Sequence, residues 1–558
     1  MLSVGPESTT KISGRCAGPE ASSWIIKVSA ENGTRRIPSP ETGSRFHELA
    51  AVLFVLVTVS LLLWWRFLPL PHQDLNFYTE PAFLLAKFGT LTGPGSQYID
   101  LTYQKGFYFY PPGHFLILAA WIKLFGLSPD SLLGFTHSVH VGILIVLWSL
   151  LRFRYGCSKL VSSLVLISIF PHMPHGRPDL PACFLSLAAW LALPDSENWP
   201  RIILSACLAG ATLLVSPAFG VGILATLSIL ILGSPNLSFR ARMRALAIWL
   251  VSSGLLFSLV LATVLSLQHS WVLAWVQFTT NVAIRGRQVN ALPDMRLFYT
   301  WIFHLIPFVI LGLVPAILFL LFQWHSSHKI LRNVSLAFVG GTVAWLALNK
   351  NQLLLGHHYL FPAKSIFQGV FYSWPRFPLR LRVLPLLFLS AIGFYYYKSD
   401  FLYLSAPLRR VEQNSATKVQ LQGEVAVDSF YFARFYRPNL TLNYETLNSW
   451  FWPRYLAAIP DSARHDMLAN LQNKPIEPSM LIMSSATVRN FGEPRHDNIP
   501  CIYPPEFFGR LQLFGRIWNL PAQPYSMAIC TSPVQMHSAI PKIVAAASGD
   551  ANSKGKSP

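Results

Sequence analysis

The feature that most constrains this chain is a succession of apolar runs between residues 50 and 398, built from Leu, Val, Ile, Ala and Phe. A helix needs roughly 20 residues to cross about 30 Å of hydrocarbon, and the runs are that long or nearly so. Backbone facing lipid must satisfy its own hydrogen bonds, which leaves helices as the only spanning option where no β-barrel alternation is present. With 52% hydrophobic and only 12% charged residues in 558, and a mean hydropathy of +0.40, a soluble protein is excluded. The sequence predicts a polytopic α-helical membrane protein.

Net charge is +19, which in a soluble protein would suggest nucleic acid. Here no basic stripe is interleaved with aromatics, and Lys and Arg gather in short loops between runs, as cytoplasmic loops do. Arg152, Arg154 and Lys159 form one such loop; Arg240, Arg242 and Arg244 a second; Lys329 and Arg332 a third; Arg376, Arg380 and Arg382 a fourth. Placing all four in the cytoplasm predicts eleven crossings, near residues 50–66, 132–151, 160–172, 181–194, 202–216, 219–233, 245–267, 300–323, 334–348, 352–373 and 383–398. The runs at 202–216 and 219–233 are split at Ser216-Pro217, and charge parity favours two short spans over one helix. The run 111–126 opens with Tyr110-Pro111-Pro112 and carries Lys123, which reads as a helix on the outer membrane surface; the alternative has it crossing as well.

Residues 1–49 are polar and read as a disordered cytoplasmic segment, followed by a transmembrane domain over 50–399 with an outer loop at 67–131. The first run lies too far along for an ordinary cleaved signal peptide and reads as a retained span. From residue 400 to 545 the pattern turns mixed, with Val425–Val427 and Met480–Met483 reading as strands and Asp461–Asn473 as an amphipathic helix. That length suits one extracytoplasmic α/β or α+β domain, before a disordered tail at 546–558. Cys157, Cys183 and Cys207 sit in or near spans, whereas Cys501 and Cys530 share the C-terminal region and could pair in an oxidising compartment. No spacing typical of metal ligands is present.

Carboxylates beside a span are costly unless they reach water, pair or do chemistry. Asp74 and Glu80 lie just beyond the first run, and Arg177 with Asp179 beyond a later one. Asp74 is the first candidate for a general base and Glu80 the second; the plainer readings are a solvated or capping aspartate and a solvated loop glutamate. Arg177 and Asp179 read either as an ion pair lining the site or as a cap on the helix beginning near Pro181. Arg285, Arg287 and Arg296 fall in a predicted outer loop, where guanidinium forks suit either a phosphate or lipid headgroups. Tyr108 and Tyr110 read as sugar-stacking or as interfacial aromatics.

Asp74-Leu-Asn-Phe-Tyr78, Ala86-Lys-Phe-Gly89, the stretch from Tyr110-Pro-Pro-Gly-His114 to Phe125-Gly126, and Arg177-Pro-Asp179 resemble the GT-C glycosyltransferases. More narrowly, they resemble the group of protein O-mannosyltransferases and lipid A aminoarabinose transferases. The resemblance is specific over residues 50–200 and only topological from 200 to 400. It implies a transferase that moves a sugar from a polyprenyl-phosphate donor to an acceptor hydroxyl, with inversion, on the outer face of the membrane; with no retrieval signal visible and a C-terminal domain that fits a periplasm, the expected site is a bacterial inner membrane, the alternative being the endoplasmic reticulum. It also implies an Asp base and cations on the donor phosphate. Where the family carries Glu-Lys or His before the Pro-Pro, this chain has Phe109-Tyr110, leaving Lys105 or His114 to substitute. His357-His358-Tyr359 resembles the family's late Tyr-bearing motif, so His358 and Tyr359 join the donor-site candidates. A divalent ion held by Asp74, Glu80 and a histidine is a further reading; no protein-held metal is assigned. The rival class is a transporter or flippase, which would show mid-span charges and paired repeats with broken helices; no repeat is evident.

Overall fold

The computed structural model describes residues 42–65, 73–96, 101–108, 110–170, 177–288, 308–322, 328–348, 360–374, 378, 380 and 382–391. It also describes the short segments 425–427, 436–438, 440–443, 480–484, 501–502, 510–513, 516–519 and 527–530. The side chains of 42–44, 65, 73–77, 96, 101–102, 280–288, 348, 425–426, 441–443 and of the segments from 480 onward lie outside that description.

The helices in chain order are α1 (Thr42–Trp65), α2 (Gln73–Phe88), α3 (Gly113–Phe125), α4 (Pro129–Ser149), α5 (Lys159–Ile169), α6 (Asp179–Ala192) and α7 (Trp199–Val215). They continue with α8 (Pro217–Leu232), α9 (Phe239–Leu267), α10 (Trp271–Gln288), α11 (Val314–Phe322), α12 (Lys329–Leu348), α13 (Phe361–Tyr372) and α14 (Arg382–Ala391). Where their residues are described, the runs predicted to cross are helical, and among the described residues length and composition alone qualify four segments to span a bilayer: Arg45–Trp64, Pro129–Arg154, Phe239–Leu267 and Lys329–Ala347. The outer surfaces of α1 and α9 show what solvent they are made for. Leu53, Phe54, Leu61 and Leu62 on α1, and Val251, Leu255 and Leu259 on α9, are exposed. A continuous apolar exterior of this kind is stable against lipid and not against water.

Inside the bundle, small and hydroxylic residues bring the helices together, the usual device where lipid supplies no hydrophobic drive between helices. A Cβ at Gly341 on α12 would lie 2.2 Å from Thr226 Oγ1 on α8, and one at Gly210 on α7 would lie 2.6 Å from the Ser253 carbonyl oxygen on α9. Trp249 Nε1 donates to Ser205 Oγ at 3.1 Å, and Ser205 Oγ donates to the Ala189 carbonyl at 2.8 Å, which ties α9, α7 and α6 in sequence. The core around these contacts includes Leu147, Val165, Leu187, Trp190, Phe338 and Phe367.

The split at Ser216-Pro217 is realised as two helices: α7 ends at Val215, and α8 starts with Pro217 in its first turn, where a missing N–H costs nothing. The turn is tight, since a Cβ at Gly220 would meet Leu213 Cα at 2.7 Å. The run read as a surface helix is α3, whose 13 residues reach about 20 Å, short of the hydrocarbon thickness. The predicted outer loop holds a second helix, α2, where the sequence predicts loop. It forms because Ala82 on α2 packs with Leu118, Ala119 and Ile122 of α3, and Pro81 is accommodated inside it.

The basic loops collect at one end of the bundle. Arg152 Nε bonds Glu48 Oε1 at 2.7 Å, and Lys159 Nζ lies 3.4 Å from Glu48 Oε2. A cleft at this end is lined by Arg154, Leu193, Asp195, Asn236 and Asn333. The C-terminal ends of α6 and α8 therefore meet there with the π-helical turn that ends at Arg154 and with the N-terminal turns of α9 and α12, which carry Arg240 and Arg332.

The C-terminal segments supply β1 (Val425–Val427), β2 (Thr441–Asn443), β3 (Met480–Ser484), β4 (Cys501–Ile502), β5 (Arg510–Leu513), β6 (Arg516–Asn519) and β7 (Met527–Cys530). Five form one mixed sheet in the order β2-β1-β3-β7-β4, with β1 parallel to both neighbours and β7 antiparallel to both of its own; β5 and β6 pair separately. The predicted strands at Val425–Val427 and Met480–Met483 coincide with β1 and β3. The predicted helix over Asp461–Asn473 lies outside the described residues.

Candidate active site

Helix α2 carries the first carboxyl group into the structure. Glu80 is buried, and both of its oxygens accept the backbone N–H of Gly95, at 2.8 and 3.0 Å. Gly95 sits in a short 3-10 turn, Pro94–Ser96. A third donor arrives from far along the chain: Tyr436 Oη donates to Glu80 Oε1 at 3.3 Å, and its ring meets Phe83 edge-on at 5.2 Å. Burial pushes the Glu80 carboxyl up to about 8, against the opposing pull of the Gly95 and Tyr436 hydrogen bonds. Desolvation disfavours the charged form more than two or three hydrogen bonds restore it, so at neutral pH this group holds its proton.

A second polar cluster forms where α3, α6 and α7 meet. Asp179, at the first position of α6, is buried; its Oδ1 accepts from Ser216 Oγ at 3.1 Å, and its Oδ2 lies 3.2 Å from Arg177 Nε. The ion-pair reading of Arg177 and Asp179 is thus realised. The capping alternative is not: α6 begins at Asp179 itself, and its cap, Pro178, accepts no side-chain bond. The carboxylate still gains from standing at a helix N-terminus. His114 on α3 is fully buried within electrostatic reach of Asp179, and neither ring nitrogen has a hydrogen-bond partner among the described residues. It is seated by Gly113, where a Cβ would meet the Leu214 backbone of α7 at 2.7 Å.

Tyr78 joins the two clusters. Its ring stands edge-on to His114 and to Tyr110, both at 5.4 Å, on the same helix that carries Glu80. Tyr108 and Tyr110 are themselves buried, and Tyr108 Oη bonds Ser270 Oγ.

The loop from Gly89 to Tyr108 is held by two glutamines from the α9–α10 corner, each acting as a peptide would. Gln268 accepts from Leu91 N at 3.3 Å and donates to the Gly89 carbonyl at 2.7 Å. Gln277 accepts from Tyr108 N at 2.6 Å and donates to the Gly106 carbonyl at 2.8 Å.

The remaining predicted residues are placed as follows. Asp74 lies in the first turn of α2, four positions before Tyr78, and its side chain is outside the described set. Lys105 is exposed on the turn after the 3-10 segment Leu101–Gln104. Arg285 and Arg287 lie in the last turn of α10 with undescribed side chains; this stretch was read as loop and is helical. Arg296, His357, His358 and Tyr359 are outside the described residues. No group of three or more His, Cys, Asp or Glu side chains that could hold a metal ion is found among the described residues. Sequence reasoning missed Ser216 as a ligand of Asp179, although the Ser-Pro break marked its position. It missed Tyr436, for which no local signal exists 356 residues from its partner.

These groups stand at the end of the bundle opposite the basic loops, because Asp179 opens α6 whereas Leu193, just past its other end, lines the cleft beside Arg154.

No protein-family model matches the chain, and no curated protein matches it. Among solved structures it is similar to an oligosaccharyltransferase of Archaeoglobus fulgidus, crystallised in complex with zinc and sulfate. The two are 12% identical with a TM-score of 0.46, over 78% of this chain and 68% of that one. A likeness of that degree leaves fold and activity to be argued from the residues of this chain.

Proposed function

We propose that this chain is a GT-C-type glycosyltransferase that moves a sugar from a polyprenyl-phosphate donor to an acceptor hydroxyl. The observation that carries the reading is the gathering of buried titratable groups, Glu80, Asp179 and His114, at one end of an apolar helical bundle. Burial of this kind is costly and marks functional sites more often than structural ones. In this reading the basic end faces the cytoplasm, so the site faces outward, where a lipid-borne sugar phosphate would lie at the rim.

The acceptor oxygen attacks the anomeric carbon as its proton passes to a carboxylate, and the bond to the lipid phosphate breaks on the opposite face with its electron pair. Glu80 is protonated at neutral pH and is a poor base there, which favours Asp74. Position 74 lies one α-helical turn before Tyr78 on α2. Arg177, already paired with Asp179, lines the wall. Lys105, Arg285, Arg287, His358 and Tyr359 are assigned to the donor phosphate and sugar. A divalent ion would have to draw on Asp74, and no step here depends on one.

The test is Asp74→Asn in membranes supplied with lipid-linked sugars. Transfer should fall at least about 100-fold, the usual contribution of a positioned base, with expression unchanged. Near-wild-type transfer would remove Asp74 from the reaction. Mass spectrometry of the lipid-linked sugars that accumulate in a deletion strain would name the donor.

A further inference from the structure

The sheet register brings two cysteines together from opposite sides of the β5–β6 hairpin. In the antiparallel pairing of β4 with β7, Cys501 stands directly opposite Cys530 and Ile502 opposite Ile529. Directly opposed residues of an antiparallel pair share a face, with Cα atoms about 4.5–5.5 Å apart. That separation falls inside the roughly 4.4–6.8 Å that a disulfide spans. Strand β4 is two residues long and lies at the edge of the sheet, where two residues of ladder hold a strand weakly. The chain has six cysteines. Cys157 and Cys183 are buried as free thiols in the helical bundle, so the pair meets outside the membrane helices.

We propose that Cys501 and Cys530 form a native disulfide that staples the edge strand β4 to β7. It rests on the outward placement of the C-terminal region proposed above, because structural disulfides persist in oxidising compartments. Each thiol gives up one proton and one electron as the Sγ–Sγ bond forms. The acceptor is an oxidised protein disulfide, which leaves as two thiols. The pair would also make the sheet a reporter of sidedness that needs no knowledge of the sugar or the acceptor.

The experiment uses the full chain in membranes, alkylated on lysis to trap free thiols and digested with trypsin without reduction. The segment His496–Arg510 should be recovered linked to Ile517–Lys542, and the linked species should disappear after dithiothreitol. In Cys501→Ser the link should be lost and Cys530 should become alkylated. Recovery of both wild-type peptides already alkylated, before any reduction, overturns the disulfide. Purified protein incubated with oxidised glutathione then tells which premise failed. If the link forms in the tube, the register stands and the outward placement falls; if it does not, the register falls and the transferase reading is untouched.

Discussion

Replacing Glu80 with glutamine should stabilise the protein at neutral and alkaline pH while leaving it nearly unchanged at pH 4. The wild-type carboxyl titrates at about 8 in the folded chain against an ordinary 4.5. Between those values the folded protein keeps a proton that the unfolded chain has released. Folding is therefore fully favoured below the lower value and weakens as pH rises through the interval, by about 1.4 kcal/mol per pH unit, before levelling off above pH 8. The total is roughly 5 kcal/mol, of which about 3 kcal/mol has been lost by pH 7. Glutamine cannot ionise, and its carbonyl still accepts from Gly95 N and Tyr436 Oη, so Glu80→Gln escapes that loss. Thermal unfolding of the detergent-solubilised pair from pH 5 to pH 9 is the assay. The difference between their midpoints cancels every other titrating group and should grow steadily up to pH 8. Parallel profiles, or a variant less stable than wild type at pH 8, would show that the carboxyl reaches water and that the burial argument is wrong.

Gly113→Ala should cost about 1–3 kcal/mol by forcing α3 off the Leu214 backbone, seen as a lower melting midpoint; Gly126→Ala, with open space around its Cβ but a φ of +75°, should cost only the backbone strain. Ser216→Ala removes the hydroxyl that donates to the Asp179 carboxylate and should destabilise by about 1–3 kcal/mol, whereas Ser216→Thr, which keeps the hydroxyl, should recover most of that in the same melt. Gln277→Ala leaves the buried Tyr108 N–H and Gly106 carbonyl without their partner; at about 1–3 kcal/mol for each group, limited proteolysis should cut between residues 89 and 108 well before the rest of the chain.

The helices were legible because lipid imposes a simple pattern: a run of Leu, Val and Ile long enough to cross is read directly, and the break at Ser216-Pro217 follows from proline chemistry. Helix α2 was not legible. Its apolar face is interrupted by Thr79, Glu80 and Pro81, and its partner is another short helix in the same loop. The Arg177–Asp179 pair was visible as two charges two positions apart, but Ser216 on the same carboxylate was not, since local sequence does not report which helix ends will meet. Glu80 could be named as a candidate, yet its weakened acidity comes from burial, and its partners include Tyr436, 356 residues away, neither of which local sequence reports. Tyr108 and Tyr110 were open to two readings for the converse reason: an aromatic at a membrane rim looks the same in sequence whether it faces a ligand or plugs a loop.

The two glutamine clamps have a consequence for biosynthesis and for engineering. Tyr108 waits for Gln277, 169 residues later, before its backbone is satisfied, and at about 5–20 residues per second of synthesis that is an interval on the order of 10–30 s. Until α10 emerges, the segment from Gly89 to Tyr108 lacks the glutamine that holds it and is open to chaperones and proteases. A chimera that borrows this segment from another protein must therefore import the 268–277 corner with it, or accept a graft that never closes.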